Sequence, residues 1–238
     1  NAFPGMANKW LGKIATKVAV SFKESKQFFP KNKVEVTGNM IHEKLCQPRE
    51  DFAPPSKQPF KILILGGSQG AHSINLGIIE ALDFLSDRKN NLQITHQTGE
   101  ADYEYIKNQY REKGFDANIM SFISDMHLQY RLASLVICRS GATTIAEITA
   151  AGRVSALIPF PYAANNHQEH NARIIEAANA GEVILDSEIS GERLAKSIIR
   201  AMDEPENLQK MEDNSYQLGS RDATQKVRKI CEDLMKNK

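Results

Sequence analysis

From Phe60 onward, short β-branched runs alternate with amphipathic stretches, and this rhythm restricts the fold more than any other feature of the chain. Strands are expected at 61–65, 92–96, 118–122, 135–138, 155–158 and 183–185. Helices are expected between and after them at 71–85, 103–113, 126–132, 143–151, 167–180 and 190–202. Alternation on this scale implies parallel βαβ units, hence an α/β domain with a doubly wound parallel sheet. Ligands of such sheets sit beyond the carboxyl ends of the strands, so glycines and polar residues there carry the functional information.

Residues 1–41 read differently. A helix is expected at 8–15 and strands at 17–22 and 34–37. A Pro/Lys/Gln-rich stretch from Cys46 to Pro59 then reads as a loop. Two further helices are expected near 205–217 and 222–235. The chain opens on Asn rather than Met and runs quickly into a helix-like segment, which suggests a product lacking an N-terminal part.

Composition narrows the function classes. Thirty Lys+Arg against 29 Asp+Glu leave a net charge of +1, which gives no global argument for nucleic-acid binding. The three cysteines form no CxxC pair and no Cys/His pattern, so reduced thiols are the expectation. No apolar run approaches the ~20 residues of a membrane-spanning helix.

Two segments have the form strand, glycine turn, helix start. In the first, Lys61 to His72, three glycines (Gly66, Gly67 and Gly70) permit a tight turn and close approach of a ligand. The following helix offers free N–H groups and a positive dipole end to an anion, with Ser68 and Gln69 adding donors. It is neither a Walker loop nor GxGxxG, and no acid for a dinucleotide ribose follows the next strand. The same residues also suit a tight βα turn with no ligand. In the second, Val136 to Glu147, Gly141 opens a helix whose first amides, near Ala142, Thr143 and Thr144, can cradle a phosphate. Glu147 lies about one turn in, where a carboxylate can accept both hydroxyls of a ribose cis-diol. It also fits a capping box with Thr144. Arg139 suits a phosphate clamp or a surface ion pair.

Two more segments are informative. Pro159 to Asn171 ends a strand, passes through a polar proline loop and starts a helix near His167, which suits the hydroxyls of a neutral sugar; capping by Asn165 or Asn166 is the simpler alternative. His167 and His170 lack the i, i+4 spacing of a zinc helix, so no metal is expected. In Ser121 to Met126, Phe122 can pack on a flat base and the Ile123 backbone can bond its edge, while two core residues at a strand end are the simpler reading. No Ser/His/Asp set and no paired carboxylates stand out.

Gly66-Gly-Ser-Gln-Gly-Ala, Phe122-Ile-Ser-Asp-Met126, Cys138-Arg-Ser-Gly-Ala-Thr-Thr-Ile-Ala-Glu-Ile148, His167-Gln168 and Asn171-Ala172 occur in order, and together they resemble the MurG family. The stretch from Asn1 to Val18 and Val36-Thr-Gly-Asn39 look like the family too. The resemblance implies two Rossmann-like domains in a GT-B fold, with the active site between them. Residues 1–41 would be the trailing part of the N-terminal acceptor domain, 42–218 the UDP-GlcNAc-binding domain, and 219–238 a helix returning to the first domain. It implies inverting, metal-independent transfer of GlcNAc from UDP-GlcNAc to undecaprenyl-linked lipid I, giving lipid II for peptidoglycan, with no cofactor. The enzyme would sit peripherally on the cytoplasmic face of the bacterial inner membrane, meeting anionic lipid through its N-terminal domain, and this chain alone would be soluble. The general base would lie in the missing N-terminal domain.

The resemblance also distributes roles. Phe122, Ile123 and Met126 would line the uracil pocket. Ser68, Gln69 and the helix start through Ser140, Gly141, Ala142, Thr143 and Thr144 would meet the diphosphate. Arg139 would lie beside the donor, Glu147 would hold the ribose, and His167 and Gln168 would contact GlcNAc. Asn1 matches the end of an acceptor-side loop. His42 stands where the family pattern Gly-Asn-Pro-Val-Arg has its arginine, so a weaker anion partner is expected there. Three rivals remain: another GT-B enzyme such as a UDP-GlcNAc 2-epimerase, a donor-binding subunit of a split glycosyltransferase, and a plain nucleotide-binding module.

Overall fold

A computed structural model describes residues 1–47, 59–67 and 70–236. The chain begins with α1 (Met6–Ile14) and a two-stranded parallel sheet of β1 (Val18–Val20) and β2 (Val34–Val36). The main body is a six-stranded, wholly parallel sheet. Its strands are β3 (Phe60–Leu65), β4 (Leu92–Gln97), β5 (Ala117–Met120), β6 (Leu135–Cys138), β7 (Val154–Leu157) and β8 (Gly181–Val183), in the spatial order β5-β4-β3-β6-β7-β8. The order reverses between β3 and β6, and the carboxyl ends of those two strands therefore flank the topological switch point.

Helices cover both faces. Along β3, Ile62 and Ile64 join one core with α2 (His72–Phe84), α3 (Tyr103–Glu112) and α7 (Gly191–Asp203). Leu63 and Leu65 join the other with α4 (Met126–Leu132), α5 (Ala142–Ala151) and α6 (His167–Ala177). Successive strand side chains point to opposite faces, so a strand buried on both reads as an unbroken apolar run. α8 (Pro205–Leu218) packs on α5, α7 and β7, where Glu212 meets Arg153 in a buried ion pair of 3.2 Å. α9 (Ala223–Lys236) starts beside the first segment: Ser220 Oγ donates to the Thr37 carbonyl at 3.0 Å.

The expected elements are all present, with shifted ends that have local causes. The strand expected at 183–185 is Gly181–Val183, because a glycine is needed where Gly181 passes Ser155; a Cβ there would lie 2.5 Å from the Ser155 carbonyl oxygen. The helix expected to reach 180 ends at Ala177, since Asn179 turns left-handed at φ 51°. The strand expected through 122 ends at Met120, and Phe122 leaves the sheet. Most of the expected loop from Cys46 to Pro59 lies outside the described residues. Among the described residues, no helix is long and apolar enough to cross a membrane.

Candidate functional site

The first glycine turn follows β3. Gly66 is packed so tightly that a Cβ would lie 2.6 Å from the Ala71 amide nitrogen, while Gly67 and Gly70 take φ of +76° and +79°. α2 then starts after its N-cap Ala71, which makes no side-chain capping hydrogen bond. A buried polar network braces this start. Asn75 donates to the Thr98 carbonyl at 3.0 Å and to Asp102 at 2.7 Å, and it accepts from His96 Nε2 at 3.0 Å. His96 Nδ1 takes the Tyr110 hydroxyl at 3.1 Å, and burial drives the imidazole down to about 3, so it is neutral. Ser68 and Gln69, the expected diphosphate donors of this turn, lie outside the described residues.

The second turn follows β6. Gly141 is the N-cap of α5, again with no side-chain cap, so the amides from Ala142 to Thr144 are not satisfied by a capping side chain. Thr143 Oγ1 accepts from Asn39 at 3.1 Å, which ties the β2 segment to this helix start. Ser140 is fully buried; its hydroxyl donates to the Gln168 carbonyl at 2.8 Å, so it joins the turn to α6 rather than facing the cleft.

Glu147 does not make the capping box that its spacing allows, because the helix begins at Ala142 and Glu147 is the sixth residue in. Its Oε2 instead accepts the Tyr130 hydroxyl at 3.1 Å. Burial raises the carboxyl above the usual range, partly offset by that hydrogen bond and by nearby His42. The His42 ring stacks on His127, with centroids 5.1 Å apart and planes 9° from parallel. Beside them the two alternatives for the base pocket divide: Phe122 is 62% exposed and is no core residue, Ile123 is buried in the α4–α5 core, and Met126 packs against that core's edge.

Arg139 does not stand free as a clamp. It donates to Asp186 Oδ1 at 2.5 Å, to Ser73 Oγ at 2.9 Å and to the carbonyls of Ile158 and Pro159, with its guanidinium 5.5 Å from the Phe160 ring centre. It thereby joins the start of α2 to the proline loop after β7. In that loop Asn165 and Asn166 adopt φ of 54° and 51°, and neither side chain caps α6, so simple capping is not their role. His167 Nδ1 lies 2.8 Å from the Ala164 carbonyl and therefore carries the proton. Gln168 Oε1 accepts from the Phe160 amide at 3.0 Å, which leaves its Nε2 for a ligand. Asn171, fully buried, accepts from the Ala2 amide at 2.8 Å and donates to Asn1 Oδ1 and the Ser140 carbonyl. Asn1 is thus brought to the same rim.

Sequence reasoning missed Tyr130, His127 and Asp186, and it named Asn171 only within a motif, without the bonds that make it a hub. No local pattern announces contacts between residues 17 or 47 positions apart.

The arrangement places the starts of α2 and α5 after β3 and β6, at the sheet switch point, with a part-buried carboxylate on α5, an exposed aromatic after β5 and an amide–imidazole loop after β7. Helix starts suit an anion, and the carboxylate suits a diol. Residues 61–231 match the model of the glycosyltransferase family 28 C-terminal domain. A UDP-N-acetylglucosamine–N-acetylmuramyl-(pentapeptide) pyrophosphoryl-undecaprenol N-acetylglucosamine transferase from Thermodesulfovibrio yellowstonii is 45% identical over 242 residues, 100% of this chain and 66% of its own length. The protein so named in Citrifermentans bemidjiense is 44% identical, over 95% of this chain and 63% of its own. The chain thus spans a little under two thirds of these relatives. The crystal structure of MurG from Acinetobacter baumannii superposes with a TM-score of 0.82 at 28% identity, covering 98% of this chain and 65% of that one. A putative UDP-N-acetylglucosamine 2-epimerase from Listeria monocytogenes, at 15% identity and TM-score 0.69, shares the fold. The α/β sheet is the C-terminal half of a GT-B fold, and the chain belongs to glycosyltransferase family 28, whose C-terminal domain it carries.

Proposed function

We propose that this chain is the donor-binding portion of an enzyme that transfers GlcNAc from UDP-GlcNAc to undecaprenyl-linked lipid I, giving lipid II. The observation that carries the reading is Glu147, a part-buried carboxylate one and a half turns into a helix whose uncapped start faces the switch point. The relatives are named for transfer of N-acetylglucosamine from its UDP form to an undecaprenol-linked pyrophosphoryl muramyl pentapeptide, which supports this substrate pair. Uracil lies against Phe122, Ile123 and Met126, the ribose diol on Glu147, and the diphosphate between the starts of α2 and α5. GlcNAc meets His167 and the free amide of Gln168. Arg139 acts by holding the two loops together. The acceptor hydroxyl attacks the anomeric carbon from the face opposite UDP. The bond to the diphosphate oxygen breaks, UDP leaves with the electron pair, and the configuration inverts. Two helix starts meet charge that grows on the leaving group, which favours the transition state over the ground state without calling on a metal. No residue of this chain is assigned as the base.

Residues 1–41 belong with the acceptor side and 42–218 with the donor side, and the contact of Ser220 with Thr37 supports assigning 219–238 as the returning helix. Association with an anionic, cytoplasmic membrane face is part of the same reading. On α1, Met6, Trp10, Leu11 and Ile14 are exposed, and Lys13 Nζ lies 5.1 Å from the Trp10 ring centre. Calorimetry tests the proposal. UDP and UDP-GlcNAc are expected to bind and ADP not to, and a radiolabel assay with lipid I is expected to show no transfer by this chain alone. Absence of UDP binding overturns the reading, and robust transfer overturns the placing of the base elsewhere.

A further inference from the structure

Tyr130 lies in the last turn of α4, 1% exposed, with its hydroxyl 3.1 Å from Glu147 Oε2. Among the described residues it is the carboxylate's hydrogen-bond partner. The height of that hydroxyl is fixed from the other side. Arg153 Nε donates to the Tyr130 carbonyl at 3.0 Å and Nη2 to the Arg131 carbonyl at 2.6 Å, so a guanidinium caps the short helix end. Arg153 is in turn held by Glu212 of α8. Hydrogen bonds thus link Glu212 of α8 through Arg153 and Tyr130 to one Glu147 oxygen.

A carboxylate offers about four lone-pair positions on two oxygens. With one position of Oε2 taken by the phenol, Oε1 and the outer position of Oε2 remain, side by side, for two neighbouring hydroxyls. We propose that Tyr130 is a positioning residue for ribose recognition: its hydroxyl pins the Glu147 carboxylate in the orientation that accepts a cis-diol. The inference rests on the donor reading above and adds to it the group that sets ribose specificity. The competing account is a buried phenol that merely needs an acceptor. The two differ in what the ligand feels.

Tyr130→Phe keeps the ring and removes the donor. UDP is expected to bind about three- to tenfold more weakly, the range one hydrogen bond supports. Binding of 2′-deoxy-UDP, which presents a single ribose hydroxyl, is expected to fall less, so the preference for UDP shrinks. Equal losses for both ligands, or none, overturn the proposal. Wild-type protein that fails to bind UDP overturns the donor reading and this inference together. Wild-type binding with a UDP preference that Glu147→Ala abolishes and Tyr130→Phe leaves intact overturns the inference alone. Should the Phe variant misfold, the wild-type hydroxyl proton of Tyr130 decides by NMR. It is expected to exchange slowly and to lose that protection in Glu147→Ala; protection that survives the Ala substitution shows that another group holds the phenol.

Discussion

Replacing Glu147 by Gln should make the protein more stable and, on the proposed donor reading, less able to bind UDP. Burial raises the Glu147 carboxyl above its ordinary range, which means that its charged form is short of solvation in the free domain. Two ribose hydroxyls would supply what water does not. A hydrogen bond to a charged group contributes about 1.5–3 kcal/mol, and partial solvent access reduces this, so the pair is worth about 1–3 kcal/mol. Glu147→Ala should therefore weaken UDP by about 5- to 150-fold. Gln retains an oxygen for Tyr130 but presents a neutral acceptor and an NH₂ where the second hydroxyl must donate, so about tenfold weaker binding is expected. The stability effect has the opposite sign. The folded state binds the Glu147 proton more tightly than the unfolded chain, so the charged carboxylate costs stability above its raised pKa, and this cost shrinks as pH falls through that pKa and is gone below the ordinary carboxyl range. Gln removes the cost. The Gln variant should melt higher than wild type at pH 7–8, and the gap should close as pH falls through the raised carboxyl range. Calorimetry with UDP and melting curves between pH 4.5 and 8 measure both effects. Unchanged UDP affinity in the Gln variant would falsify the ribose role, and a lower melting point at pH 8 would show that the negative charge itself supports the fold.

Three other substitutions probe the loops. Gly70→Ala places a Cβ 2.6 Å from the Thr98 carbonyl oxygen at φ +79°, so a loss of about 1–3 kcal/mol in urea melts and clearly weaker UDP binding are expected; a neutral result would mean that the turn is free to relax. His42→Arg should tighten UDP-GlcNAc by about two- to tenfold, since a guanidinium holds a diphosphate more firmly than an imidazole and can still stack on His127, whereas weaker binding would show that the site is built around the His42–His127 pair. Asp186→Ala removes the carboxylate that holds Arg139, and a cost of about 1–2 kcal/mol in stability with a several-fold loss of UDP-GlcNAc affinity is expected; intact affinity would mean that the loops are set without this knot.

The sheet was legible because its strands are buried on both faces. Ile62 to Leu65 read as one apolar run, and glycine turns punctuate the run where the chain enters α2 and α5. Ends were less legible, because single residues set them through contacts distant in sequence: Gly181 by its approach to Ser155, Asn179 by its left-handed turn. At the site, the sequence could nominate Glu147 but not choose between a cap and a cleft carboxylate. The choice turns on where α5 begins, and Gly141 decides it. Phe122 followed by Ile123 looks like two core residues, and only the departure of the chain from β5 at Met120 puts one outside and the other in. For Arg139 the ion-pair alternative describes the free domain, but its partners, an aspartate from beyond β8 and a serine from α2, are ones that no spacing rule connects to it.

The ion pair between Arg153 and Glu212 sets how far this chain can be shortened. The six-stranded sheet is complete by Val183, and α7 ends at Asp203, so a cut there looks harmless in an element diagram. Such a cut would strip Glu212 from a guanidinium that is 3% exposed, and breaking a buried pair in this way costs about 3–5 kcal/mol, a large part of the margin on which a domain of this size stands. It would also remove Tyr216, whose Cβ lies 3.0 Å from where a side chain at Gly152 would begin and whose ring carries the Arg221 guanidinium at 3.4 Å. A shortened chain that keeps this ion pair and the Arg221–Tyr216 contact therefore extends through Arg221, well past the last strand.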